Sequence, residues 1–362
     1  MKTDTKIMKL EDLGYTDHFE KLVLENNLEN LEIGRVIAEH KERYIVLTEN
    51  GEFEAEITGN MRFAALSRED YPAVGDWVAL AAYDPDFAII HRILPRKSVI
   101  SRQSIRQSGE IQIIAANIDY AFLVQAVDRD FNLNRLERYL TICYSSQVKP
   151  VIVLTKIDLI DNEKIADLTG MVKQRIPNVP VIAISNETQE GYEELSRIIE
   201  KGKTYCLLGS SGAGKSTLLN NLSGKTLMKT DAISKTTGKG RHITTHRELT
   251  ILENGGILID NPGMREVGIS DTTMGLETTF DQIMNYARNC RFKDCTHTSE
   301  TGCAVLNAVE NGEIDRNSYE NYLKMEREKA FFESSVAERR KRDKKLGKIV
   351  KNYKKDKNSG KF

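Results

Sequence analysis

The 362-residue chain has no apolar run long enough to cross a bilayer, which excludes a helical membrane-spanning protein. Met1 to Asp12 carry charge where a secretory leader needs an apolar centre, so a cytoplasmic protein with no membrane partner is expected. The five cysteines include no C-x-x-C pair. An odd total without a leader argues against a disulfide framework and leaves reduced thiols or metal ligands. No internal repeat is present, which excludes a solenoid. Net charge is also nearly absent, at -1, but that balance conceals an asymmetry. Lys324 to Phe362 hold fifteen Lys/Arg against six Asp/Glu, so a tail of +9 follows a body of -10. A basic tail on an acidic body suits an anionic partner, nucleic acid above all; a solvated helix end is the plainer reading.

Hydrophobic residues at 40% and charged residues at 29% describe a globular chain with room for two or three domains. Residues 1–30 read as a short helical extension carrying Leu22, Val23 and Leu28. From 31 to 97 come five short alternating runs, around 35–38, 44–47, 53–57, 76–80 and 88–94, with turn residues between them and a helical turn at 60–67. Five strands and one small helix predict an OB-type β-barrel, a common oligonucleotide platform. Beyond about 112 near-continuous apolar strands (118–127, 151–154, 181–184, 205–208) alternate with helical stretches (132–146, 162–176, 190–200). This rhythm predicts a parallel sheet covered on both faces, a doubly wound α/β domain. A Cys/His segment and a long charged helix from about 316 follow.

The chemistry concentrates in the α/β domain. Gly209–Ser216 reads GSSGAGKS, with an apolar strand before it and a helical run after it, the context a phosphate loop requires. Its glycines turn backbone N–H groups towards phosphate oxygens, Lys215 reaches the β and γ phosphates, and Ser216 can ligate Mg²⁺. The run Ile257–Gly263, ILIDNPG, is an apolar strand ending in D-x-x-G. Asp260 there can hold Mg²⁺ through water and the Gly263 N–H can sense a γ phosphate; a plain turn is the alternative. Between them, the polar stretch 236–246 suits a switch in which Thr244 or Thr245 ligates Mg²⁺, or else a surface loop.

The only base-reading motif, TKID at Thr155–Asp158, precedes the phosphate loop instead of following it. Its carboxylate can accept two hydrogen bonds from guanine N1 and N2, a donor pair that adenine lacks, so the expected nucleotide is GTP or GDP. Ser185 and Asn186, at the next strand end, stand where a base-supporting loop belongs. Ligands bind at the carboxyl ends of parallel strands whatever their connection, so the inverted order describes a circularly permuted GTPase domain. Nucleotide contacts are therefore assigned to Thr155, Lys156, Asp158, Ser185 and Asn186 at the base. Gly209, Ser210, Ser211, Gly212, Ala213, Gly214, Lys215, Ser216 and Thr217 are assigned to the phosphates, with Asp260 and Gly263 at the far end. Thr155 replaces the more usual Asn, and its hydroxyl offers less hydrogen bonding.

An OB-like start, the permuted motif order, Gly240-Arg241-His242 with Thr244 and Thr245 in the switch, and a following Cys/His cluster together resemble the RsgA (YjeQ) family of small-ribosomal-subunit-dependent GTPases, over about residues 31 to 345. The resemblance implies a factor of late small-subunit assembly whose GTP hydrolysis that subunit stimulates. Met264 stands where Ras-like enzymes place a water-orienting glutamine, and methionine cannot do that work. His242 is the candidate substitute, as the resemblance also implies, although an exposed loop histidine or an RNA contact would look the same. The catalytic set is thus His242, Lys215, Thr244 and Thr245.

Cys290, Cys295, His297 and Cys303 place three thiolates and one imidazole in fourteen residues, a closed set for one structural Zn²⁺. Their C-x4-C-x-H-x5-C spacing is not the common form, but it matches what the resembled family carries; redox cysteines are the rival. Cys143 and Cys206 fall in apolar runs and read as core. Arg92, Arg96, Lys97, Arg102 and Arg106, with 338–342 and 344–345, form basic elements suited to rRNA phosphates. The expected division is 1–30 extension, 31–97 barrel, 98–271 GTPase domain, 272–330 zinc-binding helical subdomain and 331–362 basic tail, in a monomer. The competing functions are an RNA-binding zinc protein with a mainly structural nucleotide site, and an ATP-dependent enzyme.

Overall fold

The computed structural model describes residues 9–40, 42–103, 111–224, 248–260 and 273–330. Its first layer follows from two-residue alternation. In β3 (Glu52–Ile57) Phe53, Ala55 and Ile57 are buried while Glu52 and Glu54 face water. With β1 (Glu32–His40), β2 (Arg43–Thr48), β4 (Trp77–Asp84) and β5 (Phe87–Ile93), it forms a sheet in the order β1-β2-β3-β5-β4. The sheet closes because β4 also pairs with β1. Only β3 and β5 run parallel within it. This is the five-stranded barrel that the sequence predicts. Long β1 bends to serve both neighbours; at Gly34 a Cβ would lie 2.6 Å from Val46 Cγ1, so the close approach needs glycine. Helix α1 (Asp17–Glu25) lays Phe19 and Val23 against Trp77 at one end of the barrel, and α2 (Gly59–Ala64) joins β3 to β4.

A two-stranded antiparallel hairpin, β6 (Val99–Gln103) and β7 (Ile111–Ala116), leads into the α/β domain. There β8 (Tyr120–Ala126), α3 (Leu133–Ser145), β9 (Lys149–Thr155), α4 (Asn162–Arg175), β10 (Val181–Ala183), α5 (Tyr192–Ile198), β11 (Thr204–Gly209) and α6 (Lys215–Ser223) alternate as expected. They are followed by β12 (Glu248–Ile251) and β13 (Ile257–Asp260). The spatial order is β10-β9-β8-β11-β13-β12. Five strands are parallel, and β11 is buried at every position, as a strand with helices on both faces must be. The chain builds outward from β8 in one direction and returns to β11 on its other side. Loops after β8 and β11 therefore part at a topological switch point, where open sheets take ligands.

The sheet departs from the expected all-parallel form at its edge, where β12 runs antiparallel to β13. Through the pair Ala38–Glu248, β12 also continues the sheet into barrel strand β1. Arg35, 1% exposed, reinforces that junction. Its guanidinium donates to the carbonyls of Leu13, Gly75 and Asn117 and to Thr204 Oγ1, and it lies 5.5 Å from the Trp77 ring.

Helices α7 (Thr273–Thr279), α8 (Asp281–Ala287) and α9 (Ala304–Glu310), with helical residues 316–330, share a separate core that includes Leu276, Phe280, Val305 and Tyr322. This subdomain seats on α3. A Cβ on Gly275 would lie 2.1 Å from the Thr141 carbonyl. Buried Glu137 accepts from Arg175 Nε and Nη2 at 2.7 and 2.8 Å, from Ser318 Oγ at 2.7 Å and from Asn321 Nδ2 at 2.6 Å. Four donors around one carboxylate satisfy a charge that would otherwise be costly to bury.

Candidate functional site

The parallel sheet brings the sequence motifs to one edge. Strand β11 ends at Gly209, whose missing side chain lets it pass the Val124 carbonyl of β8; a Cβ there would lie 2.3 Å from that oxygen. The loop then turns through left-handed Gly212 (φ 82°) and Gly214 (φ 89°) into α6, a strand–loop–helix turn of the kind that presents backbone N–H groups to phosphate. Lys215 Nζ donates to the carbonyls of Gly209 and Ser210 at 2.8 and 2.6 Å, which places the ammonium over its own loop. Ser210, Ser211, Ser216 and Thr217 line the same turn half-buried, and Ala213 is buried beneath it.

The residues expected to read the base pack against this loop. Fully buried Thr155, the last residue of β9, donates its hydroxyl to the Ala213 carbonyl at 2.7 Å. Asn186, just after β10, donates through Nδ2 to the Gly214 carbonyl at 3.1 Å. Between them Ser185 Oγ donates to Asp158 Oδ1 at 2.6 Å and accepts from the N–H groups of Glu187 and Thr188. The hydroxyl thereby holds one carboxylate oxygen of exposed Asp158 in place. Lys156 adopts a left-handed backbone (φ 64°) and pairs with Asp128, beyond the end of β8, at 2.8 Å. Burial opposes ionisation of Asp128, but the Lys156 ammonium, the Asp130 N–H and the Arg129 charge together outweigh it and keep that carboxyl below its ordinary range. Asp128 is a site-edge residue that the motifs did not single out; its place at the end of an apolar strand was the available signal.

Asp260 closes β13, the parallel neighbour of β11, so its backbone lies at the same edge as the phosphate loop. His242, Thr244, Thr245 and Gly263 lie outside the described residues, as do Arg106 and the basic tail after 330.

Cys290, Cys295, His297 and Cys303 converge in the C-terminal subdomain with all ligand atoms within 4.8 Å of one another. His297 Nδ1 stands 3.5 Å from the sulfurs of Cys290 and Cys303, and those sulfurs are 3.8 Å apart. A tetrahedral ion with bonds of about 2.3 Å to sulfur and about 2.0 Å to nitrogen has edges of roughly 3.8 and 3.5 Å, so the donors fit a closed four-coordinate metal. Desolvation works against a Cys290 thiolate. The N–H groups of Val305 and Ala304 at the start of α9, with the neighbouring thiols, outweigh it and hold that thiol below its ordinary range. Behind the ligands, the Tyr319 hydroxyl donates to the His297 carbonyl at 2.7 Å, and the Leu306 N–H donates to Cys303 Sγ.

Two members of the expected basic strip are engaged within the protein. Arg96 makes a two-pronged pair with fully buried Asp76, both bonds at 2.8 Å, and Lys97 pairs with Asp119. Arg92 remains exposed. Cys143 and Cys206 are wholly buried, and burial pushes both thiols up.

A phosphate loop after one strand, a clasped base-reading loop from strands earlier in the chain and a D-x-x-G after a later strand define a circularly permuted phosphate-loop GTPase. The RsgA GTPase family model matches residues 93–270. Small ribosomal subunit biogenesis GTPase RsgA 2 of Listeria monocytogenes serotype 4b is 44% identical over 90% of each chain. RsgA 1 of Bacteroides thetaiotaomicron is 39% identical over 95% of this chain and 96% of its own. Among solved structures, YjeQ from Thermotoga maritima aligns with a TM-score of 0.60 at 27% identity, over 81% of this chain and 96% of that one. YloQ, described as a circularly permuted GTPase, aligns with 0.58 at 26% identity, over 86% and 96%. The chain belongs to the RsgA GTPase family and hydrolyses GTP.

Proposed function

We propose that this GTPase is a biogenesis factor of the small ribosomal subunit, acting late in its maturation, with hydrolysis switched on by that subunit. The reading is carried by the clasp between Thr155 and Ala213, which puts the guanine-reading and phosphate-binding loops of a GTPase side by side. It is supported by the names of relatives that span nine-tenths of the chain.

In this reading Asp158, oriented by Ser185, accepts from the guanine edge, while Thr155, Lys156 and Asn186 fix its surroundings. Residues 209–214 surround the β and γ phosphates with N–H groups. Lys215 leaves its loop carbonyls for phosphate oxygens, and Thr217 closes the rim. Ser216 and Asp260 hold Mg²⁺, which supplies neutralisation of phosphate charge; Thr244 or Thr245 and Gly263 sense the γ phosphate. With Met264 in the position of the usual glutamine, His242 orients the attacking water once the subunit sets the switch.

The metal is one structural Zn²⁺ on Cys290, Cys295, His297 and Cys303, since three sulfurs and one nitrogen with no open position suit zinc. Rigid barrel and helical subdomain flank the GTPase domain as docking surfaces for subunit and rRNA. The division is 1–30, 31–97, 98–271, 272–330 and 331–362, with Leu13, Phe19, Val23 and Leu28 of the first bracing the barrel and the last adding phosphate affinity, in a cytoplasmic monomer. The subunit-binding salt slope of a chain cut after 335 tests the tail. The deciding assay is GTP turnover with and without purified small subunits; equal rates would defeat the reading.

A further inference from the structure

The base-reading loops follow β9 and β10 while the phosphate loop follows β11, with β8 between, so no backbone ladder ties the two halves of the site directly. Side chains do so. Asn221, on the second turn of α6, donates through Nδ2 to the Tyr192 hydroxyl at 3.0 Å and to the Asn186 carbonyl at 2.9 Å. Tyr192, the first residue of α5, donates its hydroxyl proton to Asn186 Oδ1 at 2.7 Å. Asn186 in turn donates through Nδ2 to the Gly214 carbonyl. The donors point one way along the chain, so each bond polarises the next. The circuit leaves α6, crosses the base loop and returns to Gly214, the N-cap of α6. Gly214 is left-handed (φ 89°), and a Cβ there would lie 2.6 Å from Asn186 Nδ2, so a side chain would push this donor away. Burial pushes the Tyr192 hydroxyl up to about 12, so it stays a donor at neutral pH.

We propose that Tyr192 and Asn221 are positioning residues for the nucleotide, which act through Asn186 to hold the guanine-reading loop at a fixed distance from the phosphate loop. Base and phosphates then bind as one ligand onto a preformed frame, with little ordering left to do. The proposal rests on the reading of Asp158 and Lys215 as the two ends of the nucleotide site.

The test is release of GDP, with Mg²⁺, from the full chain. Tyr192→Phe deletes one oxygen and keeps the ring; Asn221→Ala deletes the partner and leaves the ring untouched. Each variant loses two of these bonds and acts on the nucleotide only through Asn186, so each should speed GDP release about three- to tenfold. The double variant should speed release by less than the product of the two singles, since they share one bond and both act through Asn186. The preference for GDP over IDP, whose base lacks the amino group read by Asp158, should narrow in both. Purely structural damage would lower the melting temperature and leave that ratio alone. Wild-type release and an unchanged GDP-to-IDP ratio in folded Tyr192→Phe would overturn the proposal, and Asn221→Ala decides if Tyr192→Phe does not fold. Lys215→Ala and Asp158→Ala separate the two levels: GDP binding insensitive to them defeats the site reading, whereas binding sensitive only to them defeats this proposal alone.

Discussion

The hydroxyl of Thr155 donates to the carbonyl of Ala213, 58 residues later in the chain, at 2.7 Å. Threonine stands here in place of the more usual asparagine, and its short bond, with that of Asn186 to the Gly214 carbonyl, braces the phosphate loop. Thr155→Val keeps shape and strands the Ala213 carbonyl in a buried setting. It should cost about 1–3 kcal/mol of stability and weaken GDP binding several-fold. Thermal melting with and without GDP checks this; an unshifted melting temperature would show the clasp to be idle.

Asp158 is the guanine reader if the site works as proposed. An asparagine there keeps one acceptor but offers an N–H where guanine also has one, so Asp158→Asn should lose about 100-fold in GDP affinity. Xanthine carries a carbonyl at that ring position and should gain. A competition series of GDP, XDP and ADP reads the exchange directly, and an unchanged order of preference would rule Asp158 out.

Turnover, as distinct from binding, is assigned to His242. His242→Ala should keep its affinity for GTP within about twofold while subunit-stimulated hydrolysis falls by about 100-fold or more. Phosphate release in the presence of small subunits measures this, and full stimulation of the variant would return the role to another group.

Much of this architecture was legible in the sequence because local patterns carried it. The alternation Phe53, Ala55, Ile57 marked a barrel strand, and the unbroken run of β11 marked a strand buried on both sides. What escaped depends on distant partners. Strand β12 has four residues and owes its place to β13 and to Ala38, more than two hundred residues earlier. Arg96 looked like an RNA-facing cation, yet buried Asp76, twenty residues upstream, turns it inward. The Cys₃His set was visible by residue type, but its tetrahedral edges required the fold. Tyr192 and Asn221 belong to no motif, and only α5 and α6 packing beside the base loop brings them to Asn186.

Zinc should be present at one ion per chain. Cys303 caps α9 and is one of the four proposed ligands, so Cys303→Ser should drop metal content to near zero and loosen the C-terminal subdomain. The nucleotide site is built from other elements and should keep its GDP affinity. Elemental analysis with hydrogen exchange over 273–330 checks both halves. Full zinc loading of the variant would contradict the ligand set.

Arg35 makes the strongest claim about the N-terminal extension. Its acceptors come from three places: Leu13 before the barrel, Gly75 within it, and Asn117 and Thr204 in the α/β domain. All four are uncharged, and burial brings the guanidinium down to about 10, partly offset by Asp119 and Asp76. It therefore stays protonated at neutral pH while carrying a desolvation cost that its acceptors repay. Arg35→Met fills much of the volume and relieves that cost, but it strands the Leu13 and Asn117 carbonyls and the Thr204 hydroxyl, while the Gly75 carbonyl keeps its bond from Asn117 Nδ2. With unsatisfied buried groups at about 1–3 kcal/mol each, a net loss of about 3 kcal/mol is expected. Because the lost bonds are among those that join barrel to GTPase domain, the loss should show as uncoupling as well as lower stability. A single calorimetric transition should split, with GDP raising only the part that contains the phosphate loop. One undivided transition that shifts as a whole with GDP would mean that β1 and β12 hold the two units together without Arg35.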